Sequence, residues 1–194
     1  MKNILLIVSI TALLTVTTSC KKKNTIPDNP NVYSSILDSS VLTPASSATD
    51  EAPIDVNKDG TSDFDLVAIN DGGTLITKIV SGRTNTPLAF VIEDLQVGSS
   101  FDENAILDSS GIKPTPPKPH RQLSSSAILS FKSLSANIGH AGEGDFYIAF
   151  IIYIGGERHF GWLKLNVSSD GKTLKLRSYG YNIHPEESLK AGEF

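Results

Sequence analysis

Cysteine and tryptophan are almost absent from this chain of 194 residues, which has one of each. A single cysteine excludes an intramolecular disulfide and a cysteine-rich zinc site. Positive charge is also scarce, because 17 Lys and Arg residues stand against 21 Asp and Glu residues and the formal net charge is -4. This balance excludes the basic surface by which proteins bind nucleic-acid phosphates, so no nucleic-acid partner is predicted.

Catalytic motifs are missing as well. No Gly-x-Ser-x-Gly segment occurs, so no serine stands in the turn that exposes the nucleophile of many hydrolases. The histidines lack the short spacing of metal ligands; they are His120, His140, His159 and His184. The glycine-rich residues 139–145 contain one histidine and two carboxylates, which is typical of a turn and, as an alternative, of an acid/base cluster. The prediction is a protein that is not an enzyme.

The first twenty residues have the composition of an export signal. Lys2 precedes an apolar run at residues 4–16, and small polar residues lead from this run to Cys20. The run is shorter than the roughly 20 residues that a membrane-spanning helix needs, and the basic residue stands in front of it, as in a cleaved signal. Residues 1–19 are therefore predicted to be a signal peptide.

The end of this signal resembles that of bacterial lipoproteins. In that family, cleavage leaves the cysteine as the first residue, with acyl chains on its sulfur and amino group, and the small Ser19 fits the pattern. The resemblance implies lipidation at Cys20 and attachment through the lipid to the outer membrane of a Gram-negative bacterium. Residues 21–23 are basic, whereas some surface-exposed lipoproteins have an acidic run there, so the periplasmic side and the cell surface both stay open. The alternative is an ordinary secretory signal followed by an incidental thiol.

Residues 20–50 differ in composition from the rest of the chain. They are rich in Ser, Thr, Asn and Pro and show neither the two-residue period of a strand nor the period of a helix. Such a segment buries too little apolar area to offset its ordering entropy, so a flexible tether is predicted. A short apolar patch at residues 32–37 is the exception, and an edge strand or a helical turn is the alternative there.

Residues 51–194 are predicted to form the folded domain. Short apolar or alternating runs recur between turn residues, and no run has a sustained helical period. Residues 70–73 and 169–172 have the composition of hairpin turns. Residues 146–154 are apolar on both faces, which indicates a central strand buried on both sides. The predicted fold class is all-β, an antiparallel two-sheet sandwich of jelly-roll type preceded by a disordered tether.

The most specific local motif lies at residues 55–63. It places oxygen ligands at the first, third, fifth, seventh and ninth positions, from Asp55, Asn57, Asp59, the backbone carbonyl of Thr61, and Asp63. Gly60 permits the sharp turn that the front of a calcium-binding loop needs. The twelfth position, where an EF-hand has a bidentate glutamate, is Leu66, so an EF-hand is excluded. A structural calcium ion is predicted, and a hydrogen-bonded Asx turn without metal is the alternative.

Four segments together resemble a group of exported bacterial proteins with a terminal β domain. They are Asp-x-Asn-x-Asp-Gly-x-x-Asp-Phe at 55–64, a Gly-Trp strand at 161–167, Tyr-x-Tyr-Asn at 179–182 and Ala-Gly-Glu at 191–193. The resemblance covers about residues 54–193. It implies a β domain in the cell envelope and attaches no activity to it.

The aromatic residues near the end of the chain permit two interpretations. Trp162, next to Gly161, is typical of a core anchor. Tyr179 and Tyr181 share one face of a predicted strand, and in an exposed sheet their rings form the predicted ligand-binding surface for a carbohydrate. The overall prediction is a lipid-anchored cell-envelope protein with a non-enzymatic binding or structural role. Alternatives are a glycan-binding or glycan-processing module, with residues 139–145 lining a groove, and a partner subunit for another envelope protein.

Overall fold

The computed structural model describes residues 30–42, 48–82, 88–92, 98, 100–101, 105–107 and 122–194. Cys20, the predicted signal peptide at 1–19 and the first part of the predicted tether lie outside these residues. None of the described residues belongs to a helix long and apolar enough to cross a membrane.

Strands account for all the regular structure in the described part of the chain. They are β1 (Val32–Leu42), β2 (Thr49–Ile54), β3 (Phe64–Asp71), β4 (Thr74–Ser81), β5 (Leu88–Ile92), β6 (Ser100–Phe101), β7 (Ile106–Leu107), β8 (Gln122–Ser124), β9 (Ser126–Lys132), β10 (Asn137–Gly139), β11 (Asp145–Ile154), β12 (Glu157–Val167), β13 (Leu174–Asn182) and β14 (Leu189–Lys190). The pairs between these strands are antiparallel. The predicted all-β class is confirmed.

Two sheets pack face to face and make up the sandwich. The larger has the order β1-β13-β12-β11-β5-β8, with β6 also paired to β11, and the second has the order β10-β9-β4-β3-β2. Two meanders supply most of this order, one from β2 to β4 and one from β11 to β13. Phe64 of β3 and Phe90 of β5 meet between the sheets, with ring centroids 6.1 Å apart and nearly perpendicular planes. The core of the sandwich therefore lies between two antiparallel sheets, as predicted.

The predicted hairpin turns lie where the sequence pattern places them. Asp71 pairs with Thr74, so the β3–β4 turn has two central residues, Gly72 and Gly73, with φ of 57° and 93°. Positive φ at both central residues matches the twist of the flanking strands, and glycine adopts it without steric cost. The turn at 169–172 lies within a longer, six-residue connection from β12 to β13, whose flanking residues Val167 and Leu174 pair and in which Gly171 has a φ of 73°.

Strand β11 is buried on both faces, which confirms the interpretation of residues 146–154. Phe146, Ile148 and Phe150 belong to the core between the sheets. The alternate residues Tyr147 and Ala149 belong to a second buried cluster on the other face of the larger sheet. Because successive side chains of a strand point to opposite faces, a continuous apolar run requires a cover on each side.

The C-terminal end of the chain supplies residues of the second cluster. Strand β14 pairs with β7, and Leu189 lies opposite Leu107. Both side chains are buried in the same cluster as Trp162, whose ring centroid is 5.2 Å from that of Phe194. Trp162 is fully buried. It is a core anchor, as its position beside Gly161 predicts.

Strand β1 corrects the predicted boundary of the tether. The prediction of a flexible segment through residue 50 is wrong for residues 32–42, because they pair along the edge of the larger sheet with β13. It is also wrong for residues 49–50, which begin β2. The edge strand considered as the alternative for residues 32–37 is the structure observed. The segment docks because Tyr33 packs against the core between the sheets, a contact that the composition of the segment does not show.

Candidate functional site

Residues 55–63 form a nine-residue loop between β2 and β3, and we call it the Asp loop. The last residue of β2, Ile54, pairs with the first residue of β3, Phe64. The backbone N–H of Asp63 donates to the carbonyl of Ile54 at 2.9 Å, and the N–H of Gly82 donates to the carbonyl of Asp63 at 2.6 Å. The loop is therefore closed at its base by the ladder of the second sheet.

Asp63 holds the two ends of the Asp loop together from inside. It is only 1% exposed. Its Oδ2 atom accepts hydrogen bonds from the backbone N–H groups of Val56, at 2.7 Å, and Asn57, at 3.3 Å. The fully buried Val56 fixes the same segment to the core. Because buried carboxylates persist only with strong partners, these two amides explain how Asp63 is accommodated.

The outer turn of the Asp loop is built by side chains that bend back on the backbone. Asp55 Oδ2 accepts from the N–H of Gly60 at 2.9 Å, and Asn57 Oδ1 accepts from the N–H of Asp59 at 3.0 Å. Lys58 and Gly60 have φ of 58° and 89°, so the chain reverses sharply here. The sharp turn predicted at Gly60 is confirmed, and the Asx hydrogen bonds considered for the loop are present.

Two carboxylate oxygens of the Asp loop have no hydrogen-bond partner within the described part of the chain. They are Asp55 Oδ1 and Asp63 Oδ1, and both atoms are buried. A buried carboxylate oxygen without a partner is costly, because it has lost its water and gained nothing in return. A hard cation such as Ca²⁺ binds to oxygens of this kind, and Asn57, Asp59 and the carbonyl of Thr61 lie on the same short turn.

The carboxylates of the Asp loop do not form a preassembled metal centre. Among the described ranges, no three His, Cys, Asp or Glu side chains are arranged as the ligands of a metal ion. Asp55 and Asp59 are instead engaged with backbone amides, Asp59 through a 2.9 Å bond from the N–H of Thr61. Both oxygens of Asp59 are thus engaged within the loop, whereas Asp55 Oδ1 and Asp63 Oδ1 have no such partner among the described residues and are available to a cation.

The protonation of Asp63 leads to a test by pH. Burial raises the pKa of Asp63 above its ordinary value of 3.8; two backbone hydrogen bonds oppose this shift, and the nearby charges of Asp59 and Asp55 add to it. The folded protein therefore binds a proton at the Asp63 carboxylate more tightly than the unfolded chain does. Ionisation of Asp63 consequently lowers the free energy of unfolding as the pH rises from 3.8 through the folded pKa. The penalty is fully present above the folded pKa.

We expect the metal-free protein to gain stability relative to an Asp63→Asn variant as the pH is lowered from 7 towards 4. The difference in unfolding free energy between the two proteins isolates the titration of Asp63, because the other carboxylates are common to both. One of these is Asp59, whose pKa is lowered first by a hydrogen bond from Asn57. Urea unfolding of decalcified samples at several pH values measures it. A difference that stays constant, or that changes with the opposite sign, contradicts the assignment of a raised pKa to Asp63.

Tyr179 and Tyr181 lie inside the sandwich, which corrects the prediction of a ligand-stacking surface. Their side chains are 2% and 7% exposed and belong to the core between the sheets. Burial is the first cause that raises the pKa of each to about 12. Neither ring presents a face to a carbohydrate, because both point into the core between the sheets, where Tyr33 of the neighbouring strand β1 packs against them with ring centroids 6.5 Å and 5.3 Å away.

The same tyrosines connect the Asp loop to β1, a relation that the sequence does not reveal. The hydroxyl of Tyr179 donates to the backbone carbonyl of Asp55 at 3.5 Å. The ammonium group of Lys58 lies 5.4 Å from the ring centroid of Tyr33. The apolar patch at residues 32–37 was the only signal for this contact, since partners so far apart in the chain leave no common motif.

His140, from the glycine-rich stretch 139–145, has a structural position. Its Nδ1 and Nε2 atoms are each 2.7 Å from an acceptor, the carboxylate of Glu143 and the backbone carbonyl of Gly98. The ring is buried and lies 4.4 Å from that of Phe146, centroid to centroid. Asp145 lies apart from the pair and accepts a hydrogen bond from Asn166. The alternative of an acid/base cluster is not supported, because both ring nitrogens are engaged in holding loops together.

The chain was compared with known proteins. No family model matches it, and neither a curated protein nor a solved structure is significantly similar to it. The resemblance to lipoprotein signals and to exported β domains therefore rests on the sequence motifs themselves.

Proposed function

We propose that the chain is a lipid-anchored cell-envelope protein whose β-sandwich binds one structural Ca²⁺ ion at the Asp loop. Its role is binding or structural rather than catalytic. The observation that carries the metal site is the pair of buried carboxylate oxygens, Asp55 Oδ1 and Asp63 Oδ1, that find no hydrogen-bond donor among the described residues. A divalent cation provides the compensating charge, and the carboxylate, amide and carbonyl oxygens of the loop are the ligands that calcium prefers.

The position of the Asp loop supports a structural role for the ion. The loop joins two neighbouring strands of the second sheet and contacts Tyr179 of the larger sheet through the carbonyl of Asp55. Neutralising the carboxylates removes their mutual repulsion and stiffens the connection at this end of the sandwich. The gain appears as stability of the folded domain, because the unfolded chain lacks the assembled turn.

The proposed membrane anchor is supported by the N-terminal sequence. Cys20 follows an apolar run, and eleven residues separate it from the start of β1 at Val32. Acyl chains at this position hold the sandwich near a bilayer. Along the chain, β1 and then the Asp loop are among the first parts of the domain after the tether. The outer membrane remains the proposed location.

Calcium binding is tested by titrating the metal-free protein in a calorimeter and following its thermal unfolding. At a free calcium concentration 100 times the Kd, binding to the folded state alone stabilises it by about 2.7 kcal/mol. For a protein of this size that corresponds to a rise in Tm of about 5–10 °C.

Asp63→Asn is the most specific variant for this test. The asparagine carbonyl still accepts from Val56 and Asn57, so the apo fold is retained, while the negative charge and the unpaired oxygen are removed. We expect it to show no binding heat and no rise in Tm with calcium. Asp71→Asn, which removes an exposed charge at the β3–β4 hairpin, is the matched control and should respond as the parent does. Absence of binding heat in the parent protein contradicts the proposal.

A further inference from the structure

We propose that calcium at the Asp loop controls the docking of strand β1 onto the sandwich, and thereby the length of chain between Cys20 and the folded body. This inference rests on the calcium site proposed above and adds a regulatory consequence to it. The observations that support it are the contacts between the loop, Tyr33 and the two buried tyrosines of β13.

Strand β1 lies at the edge of the larger sheet, where β13 is its neighbour. Its register shifts between Ile36 and Ser40, so the ladder consists of two short runs. Ile36 is 60% exposed. Edge strands with short, interrupted ladders open at lower free energy than central strands, because fewer hydrogen bonds and less apolar burial hold them. Besides this ladder, Val32 packs against the second cluster and Tyr33 reaches the core between the sheets, so the contacts of Tyr33 contribute to the docking of β1.

The Asp loop contacts Tyr33 through Lys58. Lys58 lies at the tip of the turn with a left-handed backbone, at φ of 58°, and its ammonium group lies over the Tyr33 ring. A hydrogen bond to Tyr33 is also the first cause that raises the pKa of Lys58. The ring of Tyr33 also packs on Tyr181, while the hydroxyl of Tyr179 donates to the carbonyl of Asp55 in the loop. Tyr33 therefore contacts both the loop and the larger sheet.

This arrangement couples the two events thermodynamically. In the absence of a cation, the carboxylates of Asp55, Asp59 and Asp63 repel one another, which favours opening of the loop. Opening withdraws Lys58 from Tyr33 and the carbonyl of Asp55 from Tyr179, so β1 loses part of its support. By linkage, an ion that favours the closed loop also favours docked β1, and docked β1 raises the affinity for the ion.

Release of β1 has a physical consequence for an anchored protein. Its eleven residues span up to about 36 Å when extended. This length adds to the chain between Cys20 and the sandwich, so the body moves farther from the bilayer when calcium is removed. The proposed role of the ion is then to hold the domain close to the membrane.

The experiment is hydrogen exchange of the full chain in detergent micelles, with calcium and with a chelator, resolved to individual strands. We expect calcium to slow exchange of the β1 amides by about tenfold or more, with an upper limit of about 100-fold at 100 times the Kd. The amides of β12, in the interior of the same sheet, exchange through global unfolding and should slow by up to the same 100-fold limit, which gives the scale for the response of β1. A β1 exchange rate that does not respond to calcium overturns the inference.

Lys58→Met is the variant that separates the coupling from the metal site. It retains the aliphatic stem and removes the ammonium group, while every proposed ligand stays in place. We expect calcium heat close to that of the parent and a several-fold smaller effect of calcium on β1. Lys172→Met, an exposed lysine in the β12–β13 turn, is the matched control and should keep the full effect.

The outcomes distinguish the two proposals. Binding heat with unchanged β1 exchange overturns the coupling and leaves the calcium site intact. No binding heat overturns the site and the coupling with it. An equal calcium effect on β1 in the parent and in Lys58→Met overturns the route through Tyr33 that the inference requires.

Discussion

Replacing Cys20 by serine is expected to transfer nearly all of the protein from the membrane fraction to the aqueous fraction. Each methylene of an acyl chain buried in a bilayer contributes about 0.8 kcal/mol, and a single chain gives only reversible binding whereas two or more give stable anchoring. Serine offers no sulfur for acylation, so the variant loses the chains carried there, and a chain on the amino group alone gives only reversible binding. The measurement is detergent phase separation of cells that express the full chain, combined with metabolic labelling by a fatty acid.

The chain itself provides the controls for this experiment. Ser19→Ala keeps a small residue before the cysteine and should remain in the membrane fraction with its label. Because Cys20 is the only cysteine, thiol titration of the purified protein reports on this position alone. Parent protein that stays in the aqueous phase with one free thiol shows that the anchor does not exist.

Replacing Gly161 by valine is expected to destabilise the sandwich by about 3 kcal/mol or more, the upper end of the cost of overpacking a core. Gly161 of β12 lies directly opposite Phe150 of β11. A Cβ atom at Gly161 would lie 2.2 Å from Cζ of Phe150 and 2.6 Å from both of its Cε atoms. Phe150 is 1% exposed in the core between the sheets, so its ring has little space into which to move.

Urea unfolding of the parent and the variant measures this loss. Gly156→Ala is the matched control, because Gly156 has φ of 88° in the exposed β11–β12 turn and nothing lies within 4 Å of an added Cβ. Its cost is the left-handed backbone alone, about 1–2 kcal/mol. Combining Gly161→Ala with Phe150→Leu should recover stability relative to Gly161→Ala alone, since the shorter side chain removes the clash. A Gly161→Val protein as stable as the parent contradicts the packing described.

The variants Cys20→Ser and Gly161→Val test the location of the protein and its folding independently. Cys20→Ser should leave the unfolding transition of the sandwich unchanged, because Cys20 precedes the first strand by twelve residues. Gly161→Val should lower stability without changing which compartment receives the chain. A calcium response that persists in Cys20→Ser further shows that the Asp loop works independently of the anchor.

Local patterns in the sequence determine a large part of this fold. The glycines at 72–73 specify the β3–β4 turn, since only positive φ at both central residues lets these strands pair. The uninterrupted apolar run of β11 requires a cover on both faces, and both covers are present. The oxygen spacing of the Asp loop likewise identifies its bend at Gly60 and its Asx hydrogen bonds, because these involve neighbours a few residues apart.

Burial between distant segments was decided only by the tertiary structure. Tyr179 and Tyr181 alternate along β13 in a pattern that fits an exposed or a covered face equally well, and they are covered because the second sheet packs over that face while β1 pairs beside them. Four serines and an aspartate interrupt the apolar residues of 32–42 without a strand period, and the strand docks through a backbone ladder, through Tyr33 against the core between the sheets and through Val32 against the second cluster. The unpaired oxygens of Asp55 and Asp63 also emerge only in the folded chain. The period of apolar residues in the sequence shows which side chains share a face of a strand. Which segment packs over that face is determined by contacts between residues far apart in the chain.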